Sequence, residues 1–237
     1  MFKLALNAGH YKNEPGKRVL KTLDKNETRE WVLNDRICDK VEKKLSAYDG
    51  ISLIRIDDTT GKSNVTLENR AKKANDFGAD VYISVHHNAG INGGTGGGIS
   101  AYVYTKVDDY TRKVQKLLYD KLIAKTGLKG NRASPLSSAN FAELRLTRMP
   151  AVLLECGFMD SKTDVPIILS EDFAEKCAVA ITEAVAELGN LKLKETPKRG
   201  TLYLVQTGAY KDKKNAEEQV VKLKKAGFDA IIKTEIK

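Results

Sequence analysis

Histidine and glutamate residues that follow predicted strands are the side chains of this sequence best suited to chemistry. His10, His86 and His87 are the whole supply of histidine. His10 follows an apolar run in LNAGH, and His86 follows another in YISVHHN, so we place all three in loops at strand ends. Ligands bind at the carboxyl ends of the strands in an open α/β sheet. We therefore expect one functional rim, although a solvated loop histidine is the alternative for either residue alone.

Two glutamates complete the candidate set. Glu30 stands at the start of a predicted helix, where the helix dipole also favours an acidic residue without any function. Glu27 competes with it for a ligand role. Glu155 ends the apolar run AVLLE, and a carboxylate beside a dry core is costly without a partner. We interpret Glu155 as a functional residue.

Two histidines and one glutamate match the three-ligand pattern of catalytic zinc, which leaves a fourth position for water. Zinc lowers the pKa of such a water to about 7 and polarises a substrate carbonyl. A free carboxylate nearby can then carry the proton to a leaving amine. His10, Glu30, His86 and Glu155 would supply these parts. The residues alone predict metal-assisted hydrolysis and leave the bond open.

Short apolar runs alternate with amphipathic stretches up to about residue 188, which predicts an α/β fold. We expect a twisted, mostly parallel central sheet flanked by helices. The predicted strands are residues 2–6, 51–56, 80–85, 99–104 and 151–155. The predicted helices are residues 30–46, 66–77, 108–125 and 171–188. Strand order cannot be read from these patterns.

The character of the chain changes after residue 189. We predict a catalytic domain at 1–189, a basic linker at 190–200 that contains Pro197, and a small C-terminal module at 201–237. In the module, Asp212 is the expected N-cap of a helix that stops near Gly227, with a strand on either side. A β-α-β unit of about 35 residues is too small to bury a core alone.

Charge and composition restrict the class of partner. The net charge is +9, and the segment after residue 190 holds twelve lysines and arginines against six acidic residues. A basic tail favours a polyanion such as nucleic acid, an anionic membrane or a cell wall. No apolar run approaches the ~18 residues of a membrane span. The three cysteines are widely spaced, which argues against a disulfide framework.

Four ordered segments resemble the zinc-dependent N-acetylmuramoyl-L-alanine amidases of the amidase-3 family. They are NAGH (7–10), EWVLN (30–34), SVHHN (84–88) and RMPAVLLECGFMD (148–160), and VTLENRAKKAN (65–75) is similar to a family helix. The resemblance covers about residues 2–188. It implies cleavage of the amide that joins the lactyl group of N-acetylmuramic acid to L-alanine in peptidoglycan.

The resemblance also implies roles for particular residues. His10, Glu30 and His86 correspond to the ligands of one zinc ion per chain, and Glu155 to the general base and acid. The E-x-x-x-N spacing selects Glu30 over Glu27, while His87 occupies a variable position and receives no metal role. Asn7 and Tyr11 depart from the family's usual aspartate and glycine. Carboxylate support for His10 is therefore not implied.

The C-terminal module resembles one repeat of the SPOR peptidoglycan-binding domain, which normally contains two β-α-β repeats. Its few aromatic residues, Tyr203, Tyr210 and Phe228, are too sparse for stacking on nucleic-acid bases. We expect peptidoglycan as the partner, with neither nucleic acid nor membrane.

The N-terminus lacks the plan of a signal peptide. Like the mother-cell autolysins and phage endolysins it resembles, the protein is expected to be made in the cytoplasm and to reach the wall after lysis or through a holin.

A single repeat leaves an apolar face uncovered. We predict that two chains pair through residues 201–237 as a homodimer, burying Leu204, Ala216, Val220, Leu223 and Ile231. Competing predictions are a tail that packs on its own catalytic domain, or one that folds only on the wall.

For the whole protein, the alternatives are a carboxypeptidase-like zinc peptidase and a non-catalytic binding protein of the wall or of nucleic acid.

Overall fold

The computed structural model describes residues 1–195 and 205–234. The chain divides into two compact units, Met1–Lys194 and Glu195–Lys237. The strands are β1 (Phe2–Ala8), β2 (Tyr48–Asp49), β3 (Ile51–Arg55), β4 (Val81–Asn88), β5 (Ile99–Val103), β6 (Leu136–Ser138), β7 (Ala151–Phe158) and β8 (Lys192–Leu193). The helices are α1 (Glu30–Leu45), α2 (Leu67–Phe77), α3 (Asp109–Thr126), α4 (Ala142–Arg145), α5 (Val165–Ile168), α6 (Glu171–Leu188) and α7 (Lys213–Lys225).

A six-stranded sheet organises the first unit in the order β3-β1-β4-β7-β5-β6. Its neighbours run parallel except for β5 and β7, which are antiparallel. The α/β fold with a mostly parallel, helix-flanked sheet is thus confirmed. Parallel strands buried on both faces read as continuous apolar runs, and this is why the central strands were recognisable in the sequence.

The two faces of the sheet carry different helices. Leu4 and Leu6 point into a large apolar cluster with α1, α3 and α6. Ala5 and Tyr82 point into a smaller cluster on the opposite face, beside α2 and α4. Successive side chains of a strand alternate between faces, so each central strand contributes to both clusters.

Helix ends agree closely with the sequence signals. The Thr66 hydroxyl accepts a hydrogen bond from the backbone N–H of Asn69, and that of Ser170 accepts one from Phe173. Such caps satisfy N–H groups that have no partner within the helix. Helix α1 begins at Glu30, as predicted. The three cysteines are free and buried.

Three strands extend further than predicted, and the first of them, β1, continues to Ala8. Strand β4 continues through Asn88, so His86 and His87 lie on a strand and the prediction of a loop for them was wrong. Strand β7 continues to Phe158, which places Glu155 within the strand. The extensions of β4 and β7 have the same cause, because the two strands pair with each other beyond their apolar runs.

Short elements escaped the sequence patterns. Strand β6 and helices α4 and α5 each have three or four residues, too few to show a period. Strand β8 forms an antiparallel pair with β2, so residues predicted as the start of the linker are paired within the first unit. The predicted domain boundaries themselves stay a prediction.

The described part of the second unit contains one helix, α7, capped by Asp212 as predicted. Residues 205–209 and 228–232 were predicted in strands, but no strand is formed there. A strand requires a hydrogen-bonded neighbour, and residues 205–234 provide none. Residues 201–204, the rest of the first predicted strand, lie outside the described residues. None of the described helices has the length and apolar character needed to cross a membrane.

Candidate metal centre

Three side chains from distant parts of the chain meet at the carboxyl ends of β1 and β4. His10 Nε2 lies 3.3 Å from Glu30 Oε2, and His86 Nδ1 lies 3.1 Å from Glu30 Oε1. Each residue offers one ligand atom within 4.8 Å of the others. In the described chain, this is the one group of three or more histidine, cysteine or acidic residues with metal-binding geometry.

The three side chains fit a zinc ion. Tetrahedral ligands at the usual zinc distances of 2.0–2.2 Å are about 3.3–3.6 Å apart, and the separations of 3.3 and 3.1 Å from Glu30 to the two histidines are close to this range. Glu30 Oε2 is buried and has no hydrogen bond within the described residues. A buried carboxylate oxygen without a hydrogen bond is costly, and a cation at this position would satisfy it.

The histidines and the glutamate also shift one another's proton affinity. Burial raises the pKa of Glu30, but contacts with His10 and His86 outweigh burial and hold that pKa below its ordinary value. Burial would lower the pKa of His86, yet Glu143 and Glu30 raise it to about 10. Closely packed opposite charges without a metal produce such shifts.

Gly9 is required where the first loop passes the second histidine. A Cβ atom at Gly9 would lie 2.1 Å from the imidazole of His86. His10 itself adopts a left-handed backbone conformation, with φ of 64°. The motif NAGH thus combines a close approach with a sharp turn, and both place the imidazole of His10 beside Glu30.

Arg70 holds the loop of the motif NAGH in place through hydrogen bonds. The guanidinium is fully buried and donates hydrogen bonds to the carbonyls of Ala8 and His10 and to the side chain of Asn7. Charge-assisted hydrogen bonds of this kind are among the stronger ones in proteins. Arg70 belongs to the segment VTLENRAKKAN, but its link to the metal centre could not be inferred from the sequence.

Asn34 and His87 stabilise the Gly9 backbone from the other face of the sheet. Asn34 donates to the carbonyl of Gly9 at 3.1 Å, and its Oδ1 lies 2.8 Å from His87 Nδ1. Burial lowers the pKa of His87 to about 3. His87 lies outside the metal-binding group, and Glu27 forms an ion pair with Arg18.

Glu155 is the register partner of His86 across the β4–β7 pair. Neighbouring strands are about 4.8 Å apart and paired residues face the same side, so the carboxylate and the imidazole are neighbours. Glu155 Oε2 has no hydrogen-bond partner within the described residues. Burial raises the pKa of Glu155 to about 8.

A cleft of about 630 Å³ opens over this group. Its wall includes His10, His86 and Glu155, together with residues of the loop before α2 and of α4. Such a volume accommodates a small organic group or several residues of a flexible chain. Lys17 Nζ lies 3.9 Å from Glu30 Oε2 and adds a positive charge at the edge.

Glu143, on α4, is the residue of this region that the sequence analysis missed. It is buried, and its Oε1 lies 3.4 Å from His86 Nε2. The segment AELR is too short to show a helical period. An acidic residue between Ala142 and Leu144, eight residues before a buried strand, was the one available signal.

Comparison with protein families identifies two matches. Residues 4–187 match the amidase-3 model, described as N-acetylmuramoyl-L-alanine amidase. Residues 181–234 match the SPOR domain. The first match covers each candidate site residue and, apart from Phe2 and Lys3, the whole six-stranded sheet.

Individual relatives are consistent with these matches. The chain is 31% identical over 232 residues to the sporulation-specific N-acetylmuramoyl-L-alanine amidase of Bacillus subtilis, covering 98% of this chain and 84% of that protein. It is 41% identical to the endolysin of Bacillus phage SPP1 over 54% of this chain and 47% of that protein. The crystal structure of an N-acetylmuramoyl-L-alanine amidase from Clostridium difficile superposes with a TM-score of 0.71 at 27% identity, covering 80% and 97% of the two chains.

Proposed function

The chain belongs to the amidase-3 family of N-acetylmuramoyl-L-alanine amidases, and from this premise we propose that His10, Glu30 and His86 hold one zinc ion while Glu155 transfers the proton. The enzyme is a cell-wall hydrolase that cleaves the amide between N-acetylmuramic acid and the L-alanine of the stem peptide. Enzymes of this family are generally zinc-dependent. The meeting of three ligand-type side chains around the unsatisfied oxygen of Glu30 is the observation that carries the proposal.

When bound, zinc would polarise the lactyl carbonyl of the substrate and lower the pKa of the attacking water. The protein's own residues do the rest. Glu155 faces the cleft with an unpaired oxygen and accepts a proton from the attacking water. It then delivers that proton to the nitrogen of L-alanine as the C–N bond breaks. The products are a free lactyl carboxylate and a free amino group.

Metal analysis with matched variants tests the ligand set. Purified protein should contain one zinc per chain, and His10→Ala or His86→Ala should lose both the zinc and the hydrolysis of purified peptidoglycan. His87→Ala is the matched control, because it removes a neighbouring buried histidine outside the metal-binding group. Full zinc occupancy in the His10 or His86 variant would overturn the assignment.

Product analysis separates the amidase reaction from carboxypeptidase chemistry. Mass spectrometry of digested peptidoglycan should show intact stem peptides with a new L-alanine N-terminus. Release of single C-terminal residues would instead indicate a peptidase. His10 and Glu30 come from different segments, twenty residues apart, unlike the close His/Glu spacing expected for a carboxypeptidase.

We propose that residues 201–237 bind the wall and pair with a second copy of the chain. The SPOR match supports wall binding, and six large apolar residues of the described tail are exposed: Val205, Tyr210, Val221, Phe228, Ile231 and Ile232. Within residues 205–234 no side chain is buried. The predicted apolar face includes Ala216, Val220 and Leu223 of α7, all partly exposed; Leu204 lies outside the described residues.

Sedimentation velocity tests this pairing. The full chain at tens of micromolar should run as a dimer, and a chain ending at Lys194 should run as a monomer, since Lys194 closes the first unit. Two monomers would exclude the dimer. A dimer that survives removal of the tail would place the interface elsewhere.

We also propose that the enzyme is made in the cytoplasm and reaches the wall after lysis or through a holin. Its similarity to a phage endolysin supports this route. Expression in a susceptible bacterium should leave the cells intact until a holin is co-expressed. Lysis at the same rate without the holin would contradict the proposal.

A further inference from the structure

Glu143 is a buried carboxylate that the proposed reaction does not use. It lies on α4 with 4% of its surface exposed. The Tyr82 hydroxyl donates a hydrogen bond to its Oε2 at 2.7 Å, and the Asn7 amide donates another at 3.3 Å. Its other oxygen, Oε1, is directed to the imidazole of His86. Three side chains thus hold one carboxylate in place.

The two nitrogens of His86 face two different carboxylates. Nδ1 lies 3.1 Å from Glu30 Oε1, on the side of the candidate metal ligands. Nε2 lies 3.4 Å from Glu143 Oε1, an ion-pair contact, and makes no hydrogen bond within the described residues. The imidazole therefore has a metal-facing atom and an atom that faces Glu143.

A neutral imidazole can present only one lone pair at a time. If Nδ1 ligates a metal, the ring proton must sit on Nε2. A buried N–H requires an acceptor, and Glu143 is the group at that position. Histidine ligands commonly donate their second N–H to a carboxylate, which fixes the tautomer and strengthens the ligand.

We propose that Glu143 is a positioning residue that keeps the proton of His86 on Nε2 and so directs the lone pair of Nδ1 to the metal. The inference rests on the zinc site described under the proposed function. Glu143 contacts the proposed ligand His86 but is not itself a member of the metal-binding group. Its loss should weaken metal binding without removing the site.

The side chain of Asn7 can donate a hydrogen bond to the Glu143 carboxylate, which an aspartate could not do. Its Oδ1 accepts a hydrogen bond from Arg70, so its amide nitrogen is directed to Glu143 and to the Ser84 hydroxyl. An aspartate at position 7 would place a second negative charge against Glu143 and could not donate. Asparagine is therefore the residue compatible with a carboxylate at 143, which explains the departure noted in the motif NAGH.

Zinc affinity of the full chain is the first test. Glu143→Gln should bind zinc about 10–100-fold more weakly, as is usual when the carboxylate partner of a ligand is altered. Glu27→Gln is the matched control, because it makes the same change at a carboxylate that pairs with Arg18 and lies outside the metal-binding group. We expect its affinity to stay within about twofold of the parent. Equal affinities for the parent and Glu143→Gln would overturn the proposal.

NMR of the ¹⁵N-labelled, zinc-loaded full chain is the second test. His86 should show a metal-bound Nδ1 and a proton on Nε2 shifted downfield by the carboxylate. In Glu143→Gln that proton should move upfield, a change that lost stability alone would not produce. A metal-bound Nε2 would overturn the proposal. If the parent binds no zinc, the proposed function fails first, so the two failures are distinguishable.

Discussion

The two units of this chain treat polar and apolar groups in opposite ways. The first unit buries histidines, glutamates and an arginine at the end of a sheet, each held by several partners. The second exposes most of its large apolar side chains and buries none in its described part. The first contains about 190 residues and the second about 40. Only the larger unit has enough core to offset the cost of desolvating a reactive site.

This contrast suggests a division of labour. Chemistry requires groups fixed within a few tenths of an ångström by packing on both faces of a sheet. Attachment to a polyanionic wall requires only positive charge and accessible surface. We therefore expect substitutions in the first unit to affect chemistry and changes to the second unit to affect attachment.

The largest effect is expected at Glu155. Glu155→Gln should lower turnover by roughly 10²–10⁴-fold, the usual contribution of general acid–base help, while the fold and the zinc content are retained. Turnover on soluble muropeptide and metal analysis of the same sample provide the measurement. Loss of the metal would make Glu155 a ligand and end its assignment as the proton carrier.

A smaller effect is expected at Gly9. In Gly9→Ala the new Cβ would occupy the position of the His86 imidazole, so the ring must move. Zinc affinity should fall by about 10–100-fold, the range seen when the support of a ligand is disturbed. Titration against a coloured chelator measures it, with thermal unfolding of the metal-free protein as the control for folding. Unchanged affinity would show that the site adapts more than its packing suggests.

Removal of the tail should separate binding from chemistry. A chain ending at Lys194 keeps the β2–β8 pair and should hydrolyse soluble muropeptide within about twofold of the full chain. Its affinity for insoluble wall should fall about tenfold, or 1.4 kcal/mol. The difference should shrink as salt is added, because exposed charges are screened. A folded, zinc-loaded but inactive truncated chain would contradict the division.

The smallest effect concerns pairing of the tail. Val220→Asp introduces a charge into the apolar face of α7 and should convert the proposed dimer to a monomer, with turnover on soluble substrate unchanged. Asn215→Asp adds the same charge at an exposed position of the same helix and should remain dimeric. Sedimentation velocity distinguishes the two. Identical behaviour of both variants would remove α7 from the interface.

The sequence predicted the elements of the first unit well, because its buried strands and capped helices have strong local signals. His10, Glu30 and His86 were recognised from residue type and motif order, and the structure brings them together. The position of Glu143 could not be predicted, since its contact with His86 depends on how α4 lies against β4. Pairing beyond the apolar runs was also invisible, so His86 was placed in a loop. The strands predicted in the tail are not formed at residues 205–209 and 228–232. A local sequence pattern cannot supply the neighbouring strand that each would need.

The position of β7 in the sheet has a consequence for the order in which the enzyme is synthesised. Within the described sheet, β7 alone joins the group β3-β1-β4 to the group β5-β6. A nascent chain that ends before residue 151 therefore lacks the strand that connects the two groups. Glu155 arrives on this connecting strand. The strand that completes the sheet thus also carries the proposed proton carrier, and a nascent chain shorter than 155 residues lacks part of the proposed reactive set.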